Sequence, residues 1–332
     1  MVMRPGATIS RAFEVGVPAK AILAGEHFVL YGANAVASPV PSKNLILRVA
    51  LRPGAELVLP EPFHDLSKAI GAVLEGRLRA FVRLSSTSDI PQGAGLGSSA
   101  AFAVAFARSL VLASLNDELQ GCAGVHWGKL GDEDERSAME IAAIIEGKIH
   151  GRASGIDTAA VSGDGPILFR RGVHPVEPIA VAEGLRFLLV DTGLRRSTRE
   201  QIDRVALARS NNGDLFQGLA ESAAATVDRF VAALSMGERR EIHSCIQILG
   251  THLRDLGLEP DSASGLRTGL EAMGISLKVT GAGGGGFLLG FAEDDRVLEQ
   301  ALESLEGSAS AFCFSLPSMG LASKPVQGTP YA

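Results

Sequence analysis

Pro91-Gln92-Gly93-Ala94-Gly95-Leu96-Gly97-Ser98-Ser99-Ala100-Ala101 sets alternating glycines directly before a long run of small and apolar residues. The run from 98 to 114 reads as one unbroken helix that opens from the glycine loop. A helix N-terminus carries unpaired N–H groups and a partial positive charge, which suits it to phosphate. Gly93, Gly95 and Gly97 let backbone approach phosphate oxygens closely, and Leu96, Ser98, Ser99 and Ala100 complete the loop and first turn. A simpler reading competes, in which Ser98 or Ser99 only caps the helix.

Two more segments share this character. Pro18-Ala19-Lys20 runs into Gly25-Glu26-His27 and Tyr31-Gly32, and Lys278-Val279-Thr280-Gly281-Ala282 runs into Gly283 to Gly286. One glycine loop is a weak signal, whereas three in this order form a set. The chain has no GxxxxGK[ST], so it carries no Walker P-loop. Gly281, Gly283 and Gly286 satisfy GxGxxG, but the β-like Phe287-Leu288-Leu289-Gly290-Phe291 follows them. A dinucleotide fingerprint requires a helix there, so a tight loop between two strands is the better account.

The 332 residues are 46% hydrophobic and 20% charged with a net charge of −6, which bounds an ordinary globular chain long enough for two domains. Nothing in that balance argues for nucleic acid or a membrane surface as partner. No apolar run approaches membrane-spanning length. Residues 1–12 lack the apolar core of a signal peptide and read as a short tail, and 317–332 as a loose one. Cys122, Cys245 and Cys313 are widely spaced, odd in number and without CxxC, which reads as reduced thiols in a cytoplasmic protein.

Strands are expected at 13–17, 45–51, 78–84, 166–169 and 185–191, the second because residues 45, 47, 49 and 51 are apolar, the alternation of a half-buried strand. Residues 132–150 form a helix with an acidic first turn and a basic last turn, as the macrodipole prefers. Helices follow at 198–209, 215–234, 238–256 and 264–273. Then come a strand at 275–280, the third glycine loop, a strand at 287–291, a helix at 294–305 and a strand at 309–315. Pro175, Pro178 and Gly184 suggest a domain boundary at 180/181, giving domains 13–180 and 181–316.

Ala138, Ala142, Glu146 and Ile149 share one stripe of the 132–150 helix. A carboxylate on an apolar stripe near a negative helix end needs a cation, either Mg²⁺ or a neighbouring Lys or Arg. Asp157 lies in His150-Gly151-Arg152-Ala153-Ser154-Gly155-Ile156-Asp157. It fits a Ser-x-x-Asp cap and a general base in phosphoryl transfer equally well. His64, His126, His174, His243 and His252 show no metal-ligand spacing. Glu133, Asp134, Glu135 and Arg136 read as a solvated first helical turn.

As a set, the motifs resemble those of the GHMP small-molecule kinases, most closely the mevalonate kinases, over about residues 15–315. The resemblance implies a two-domain α+β fold with the active site in the cleft between domains. It implies ATP and Mg²⁺, transfer of the γ-phosphoryl group to the primary hydroxyl of mevalonate, and a small-molecule partner only, a homodimer being compatible. The residues Gly93 to Ala100 would then hold the ATP phosphates. Glu146, His150, Gly151, Ser154, Gly155, Ile156 and Asp157 match the register that carries a Mg²⁺ ligand, Glu146, and the catalytic Asp157. Ser99 matches the other Mg²⁺ ligand, and Lys20 the lysine that pairs with the catalytic aspartate. Glu26, His27, Thr198, Thr280, Gly281 and Ala282 match acceptor-side positions. Arg152-Ala153 stands where the family usually has Asn-Pro, Ala19 where it has Gly, and Phe287 where a cysteine is common. Arg152 leaves phosphomevalonate as the rival acceptor, while Gly25-Glu26-His27 favours mevalonate. A catalytically inactive metabolite-binding relative is the rival of another class.

Overall fold

The computed structural model describes residues 11–115, 124–150, 155–173, 176–195 and 198–317. These divide into two compact units. The first holds the described parts of Met1–Ala19, Lys43–Ile90 and Ser98–Ser162, and the second those of Lys20–Ser42, Pro91–Gly97 and Gly163–Ala332. This differs from a single cut at 180/181. The second unit recruits the first glycine motif, the loop at 91–97 and the start of the second strand. Long strands carry the chain from one unit to the other, and such crossings leave no linker in the sequence.

In chain order the elements begin with β1 (Arg11–Ala24), β2 (Ala35–Pro53), α1 (Ser67–Val73), β3 (Ala80–Ser88), α2 (Ser98–Ser114), β4 (Val125–Trp127), α3 (Asp132–His150) and α4 (Ile156–Ser162). They continue with β5 (Ile167–Phe169), β6 (Glu177–Pro178), β7 (Arg186–Asp191), α5 (Thr198–Asn211), α6 (Gly213–Met236) and α7 (Arg239–Asp255). The last are α8 (Ser264–Ala272), β8 (Ser276–Val279), β9 (Phe287–Phe291), α9 (Asp295–Leu305) and β10 (Ala311–Ser315). One sheet has the order β4-β1-β2-β5-β6 with β3 also paired to β2, and the other the order β10-β7-β9-β8.

In the first unit, β2 and β3 pair antiparallel from Leu45 opposite Ser88 to Pro53 opposite Ala80. Leu45, Leu47, Val49 and Leu51 are buried while Arg48 between them is exposed, the alternation of a half-buried strand. β3 extends into Ser85-Ser86-Thr87-Ser88, whose polarity hides it from a hydrophobic reading. β1 runs past the expected 13–17 because its second half, through Ala24, is buried with almost no alternation. β2 starts early at Ala35 despite Pro39 and Pro41, residues that ordinarily argue against a strand interior. α2 is buried nearly all round, as a helix of small apolar residues should be.

In the second unit β7, β8, β9 and β10 pair wholly antiparallel. α7 lays Ile242, Cys245, Ile246, Leu249, Gly250 and Leu253 toward the core at spacings of three and four. α6 is capped by Asn212, which accepts from the Leu215 N–H at 3.1 Å, and ends at Gly237 in the left-handed region. Of the cysteines, Cys245 is buried and Cys313 half-buried, both free thiols, and Cys122 lies outside the described residues. Burial pushes the Cys245 thiol up to about 12, so it stays protonated. Among the described residues, no helix is long and apolar enough to cross a membrane.

α7 reaches β8 through Gly250. A Cβ there would lie 2.2 Å from the Leu277 carbonyl oxygen, whereas a Cβ on Gly269 in α8 meets nothing within 4 Å. Gly250→Ala is expected to destabilise the protein by about 1–3 kcal/mol, as overpacking does. Gly269→Ala is expected to stabilise it by about 0.4–1 kcal/mol. Urea unfolding of both variants checks the contrast.

Candidate active site

The second unit assembles parts of all three glycine segments. Lys20 lies on β1, is only 2% exposed, and donates its backbone N–H to the Leu96 carbonyl at 3.0 Å. Gly97 has φ +77°, and a Cβ there would approach Lys20 Cγ to 2.8 Å. Glycine is therefore required where the loop crosses the lysine stem. The third loop closes on the second in the same way. A Cβ on Gly286 would lie 2.5 Å from the Ala94 carbonyl oxygen. As expected, the third loop joins two strands, β8 and β9, and no helix follows it.

The first and third segments are joined by side chains. Glu26 and Lys278 form an ion pair in which neither side chain is more than 1% exposed. The Lys278 ammonium also donates to the carbonyls of Ile22 and Val279, each at 3.2 Å. Burial pushes the Glu26 carboxyl up and the Lys278 ammonium down, and each charge opposes the other's shift. The Glu26 Oε2 atom is buried and has no hydrogen-bond partner among the described residues. The Thr280 hydroxyl donates to the Ile22 carbonyl and accepts from the Ile22 N–H, both at 3.0 Å. It therefore ties β1 to the end of β8.

His27 is buried, and its Nε2 lies 2.7 Å from the Ala282 carbonyl oxygen. A carbonyl only accepts, so Nε2 carries the proton and Nδ1 of the neutral ring is the acceptor. Burial holds the His27 pKa below its ordinary value, and the bond to Ala282 opposes that shift.

The first unit carries the remaining candidates. Ser99, in the first turn of α2, sits with its Oγ 2.8 Å from Nε2 of His150, the last residue of α3. Glu146 is one turn before His150 on the same face, 5% exposed at the negative end of α3. Ala138 and Ala142 of its stripe are buried, whereas Ile149 is 39% exposed. Asp157 is half-buried in the first turn of α4, which begins at Ile156. Arg152 and Ser154 lie outside the described residues. Among the described residues, no group of three or more His, Cys, Asp and Glu side chains could hold a metal ion. Thr198 opens α5 and is exposed.

Two residues escaped the sequence reading. Lys278 was readable only as the start of a motif, although a lysine inside a buried strand signals a required counter-charge. Arg195 forks onto Asp191 at 2.8 and 2.7 Å, and its Cδ would lie 3.7 Å from a Cβ on Gly93. A cation thus stands beside the second glycine loop. Glu135, expected in a solvated turn, instead has a side chain 13% exposed and paired with a buried arginine.

Residues 65–165 match the model of the GHMP kinases N terminal domain. The mevalonate kinase of Aeropyrum pernix is 28% identical over 336 residues, covering 93% of this chain and 98% of that one. The mevalonate kinase of Archaeoglobus fulgidus is 31% identical over 289 residues, covering 84% and 92% respectively. Among solved structures, L. major mevalonate kinase in complex with R-mevalonate has a TM-score of 0.73 at 21% identity, covering 97% of this chain and all of that one, a likeness of fold.

The folded pKa of His27 lies below the ordinary 6.5, so the unfolded chain binds more protons as pH falls through that value. Stability from the neutral ring is present above 6.5 and is lost toward the lower folded value. His126 and His252 are lowered by burial too and share the effect. Thermal unfolding between about pH 7.5 and about pH 5.5 should show stability falling with pH. The fall should be shallower in His27→Gln, and an identical slope would contradict the assignment.

Proposed function

The chain belongs to the mevalonate kinase family of the GHMP kinases, and from that premise we propose that it transfers the γ-phosphoryl group of ATP to the primary hydroxyl of mevalonate, giving 5-phosphomevalonate. The observation that carries this reading is the fastening of Lys20 to the second glycine loop, in the same unit where Glu26 and His27 are locked to the third. The loop at 91–97 and the first turn of α2 supply backbone N–H groups for phosphate. Lys20 offsets the charge that spreads over the transferring phosphoryl oxygens. The hydroxyl oxygen forms the new P–O bond as the bond to ADP breaks, and Asp157 accepts or orients the departing proton. The orphaned Glu26 Oε2 and the His27 Nδ1 are acceptors suited to a hydroxylated small molecule.

Ser99 and Glu146 offer a hydroxyl and one carboxylate, hard oxygen donors that suit Mg²⁺, which takes few protein ligands beside phosphate and water. The buried carboxylate at the negative end of α3 fits a cation. When bound, Mg²⁺ would neutralise charge on the phosphates. The compartment in which the protein works is proposed to be the cytoplasm, in keeping with its free thiols.

A coupled ADP-release screen over mevalonate, phosphomevalonate, galactose and homoserine tests the proposal. Mevalonate should give the highest kcat/KM, and a clearly better rival acceptor would overturn the substrate assignment. Asp157→Asn should fold, bind ATP and lose about 10²-fold or more in turnover. Turnover at the parental rate would reduce Asp157 to a structural role in α4.

A further inference from the structure

Arg108 lies on α2 and is 1% exposed, the largest of the fully buried side chains. Its guanidinium grips the Glu135 carboxylate, with Nε 3.2 Å from Oε1 and 3.1 Å from Oε2, and Nη2 also on Oε1. The same Nη2 donates to the carbonyl of Ser162 at 3.0 Å. Glu135 is in the first turn of α3, and Ser162 is the last residue of α4. Glu135 also accepts the Leu130 N–H at 3.0 Å, so the chain entering α3 is held by the same carboxylate. One side chain therefore joins three helices.

The electrostatics favour this arrangement at every contact. An acid in the first turn of α3 meets the positive end of that helix, and a cation at the last carbonyl of α4 meets a negative end. The Ser162 carbonyl is one of the acceptors that a helix C-terminus leaves unpaired, and here it is satisfied. A buried arginine that served packing alone would carry a desolvation cost that an apolar residue avoids.

What the three helices carry gives the joint its meaning. α2 bears Ser99, α3 bears Glu146 and His150, and α4 bears Asp157. α2 and α3 run antiparallel, joined at the start of α2 and the end of α3 by Ser99 and His150, and from the middle of α2 to the start of α3 by Arg108 and Glu135. At 1.5 Å per residue, Arg108 is about 13 Å along α2 from Ser99, and Glu135 about 16 Å along α3 from Glu146. α4 is shorter, and Ser162 is about 7 Å from Asp157. We propose that Arg108 is a positioning residue that fixes the registry of these helices, and through it the mutual placement of Ser99, Glu146 and Asp157. It touches neither substrate nor phosphate in this role. The proposal rests on the kinase reading only for its activity readout.

Arg108→Met combined with Glu135→Gln tests it, because the pair is removed without leaving a charge buried alone. The double variant should unfold near the parental temperature yet show kcat reduced about 10²-fold, the scale on which misplacement distant from the chemistry acts. Acceptor KM should hardly change, since Glu26 and His27 belong to the other unit. Parental kcat in a stably folded double variant would overturn the proposal. Should that variant not fold, Arg108→Lys decides. It keeps the charge but loses the fork, and a folded protein with parental kcat would equally overturn the claim. Amide hydrogen exchange gives a readout independent of turnover. Residues 156–162 should exchange faster in either variant than in the parent, and unchanged exchange would refute the joint even if the parent phosphorylated no acceptor in the screen.

Discussion

Glu26 and Lys278 come from opposite ends of the chain and meet with both side chains out of solvent. Neither charge is sustainable alone in that setting, since an ion taken from water costs several kcal/mol unless paired and hydrogen-bonded. Lys278 meets the requirement with the Glu26 carboxylate and two carbonyl acceptors. Much else in the second unit is built around that contact. Thr280 ties to Ile22 two residues further along β8's strand direction, and His27 ties to Ala282 two residues beyond that. Lys20 stands close enough to favour the Glu26 charge and to disfavour that of Lys278. Lys20, the proposed catalytic lysine, thus belongs to the same charge cluster as the Glu26–Lys278 pair.

The first unit solves a related problem with a different device. Its candidate residues lie near helix ends, where small changes in helix placement are magnified. Ser99 with His150 and Arg108 with Glu135 join α2 and α3 at two separate points, the first turn and the middle of α2. Each unit thus contains a partnered buried cation, Lys278 in one and Arg108 in the other, joining elements that bear candidate residues. The two differ in what is held, a pair of loops in one case and a set of helices in the other.

The sequence made much of this legible for identifiable reasons. The apolar residues at 45, 47, 49 and 51 and the unbroken small-residue run from Ser98 each pointed to one element type, and both lie within the strand and helix formed. The extension of β1 to Ala24 was hidden because a strand buried on both faces does not alternate, and that of β2 because proline usually marks a strand's edge. The division into units was hidden because it follows long strands through space. Of the site, Lys20, Glu26, His27 and the glycine loops were visible as motifs, and their mutual contacts fall within one unit. Lys278 was read only as the start of a motif and Glu135 as solvent-facing, because each was judged by its neighbours in sequence. A charge in a buried strand, or in a helical first turn, declares its partner only in three dimensions.

The Glu26–Lys278 pair holds the turn at 25–27 to β8 and the third glycine loop. Urea unfolding of Lys278→Met measures it most directly, compared with the double variant in which Glu26→Gln removes the stranded carboxylate. The single variant should lose about 3–5 kcal/mol, the cost of breaking a buried pair from one side, and the double variant should regain much of that loss. A single variant as stable as the parent, or a double variant no more stable than the single, would contradict the account.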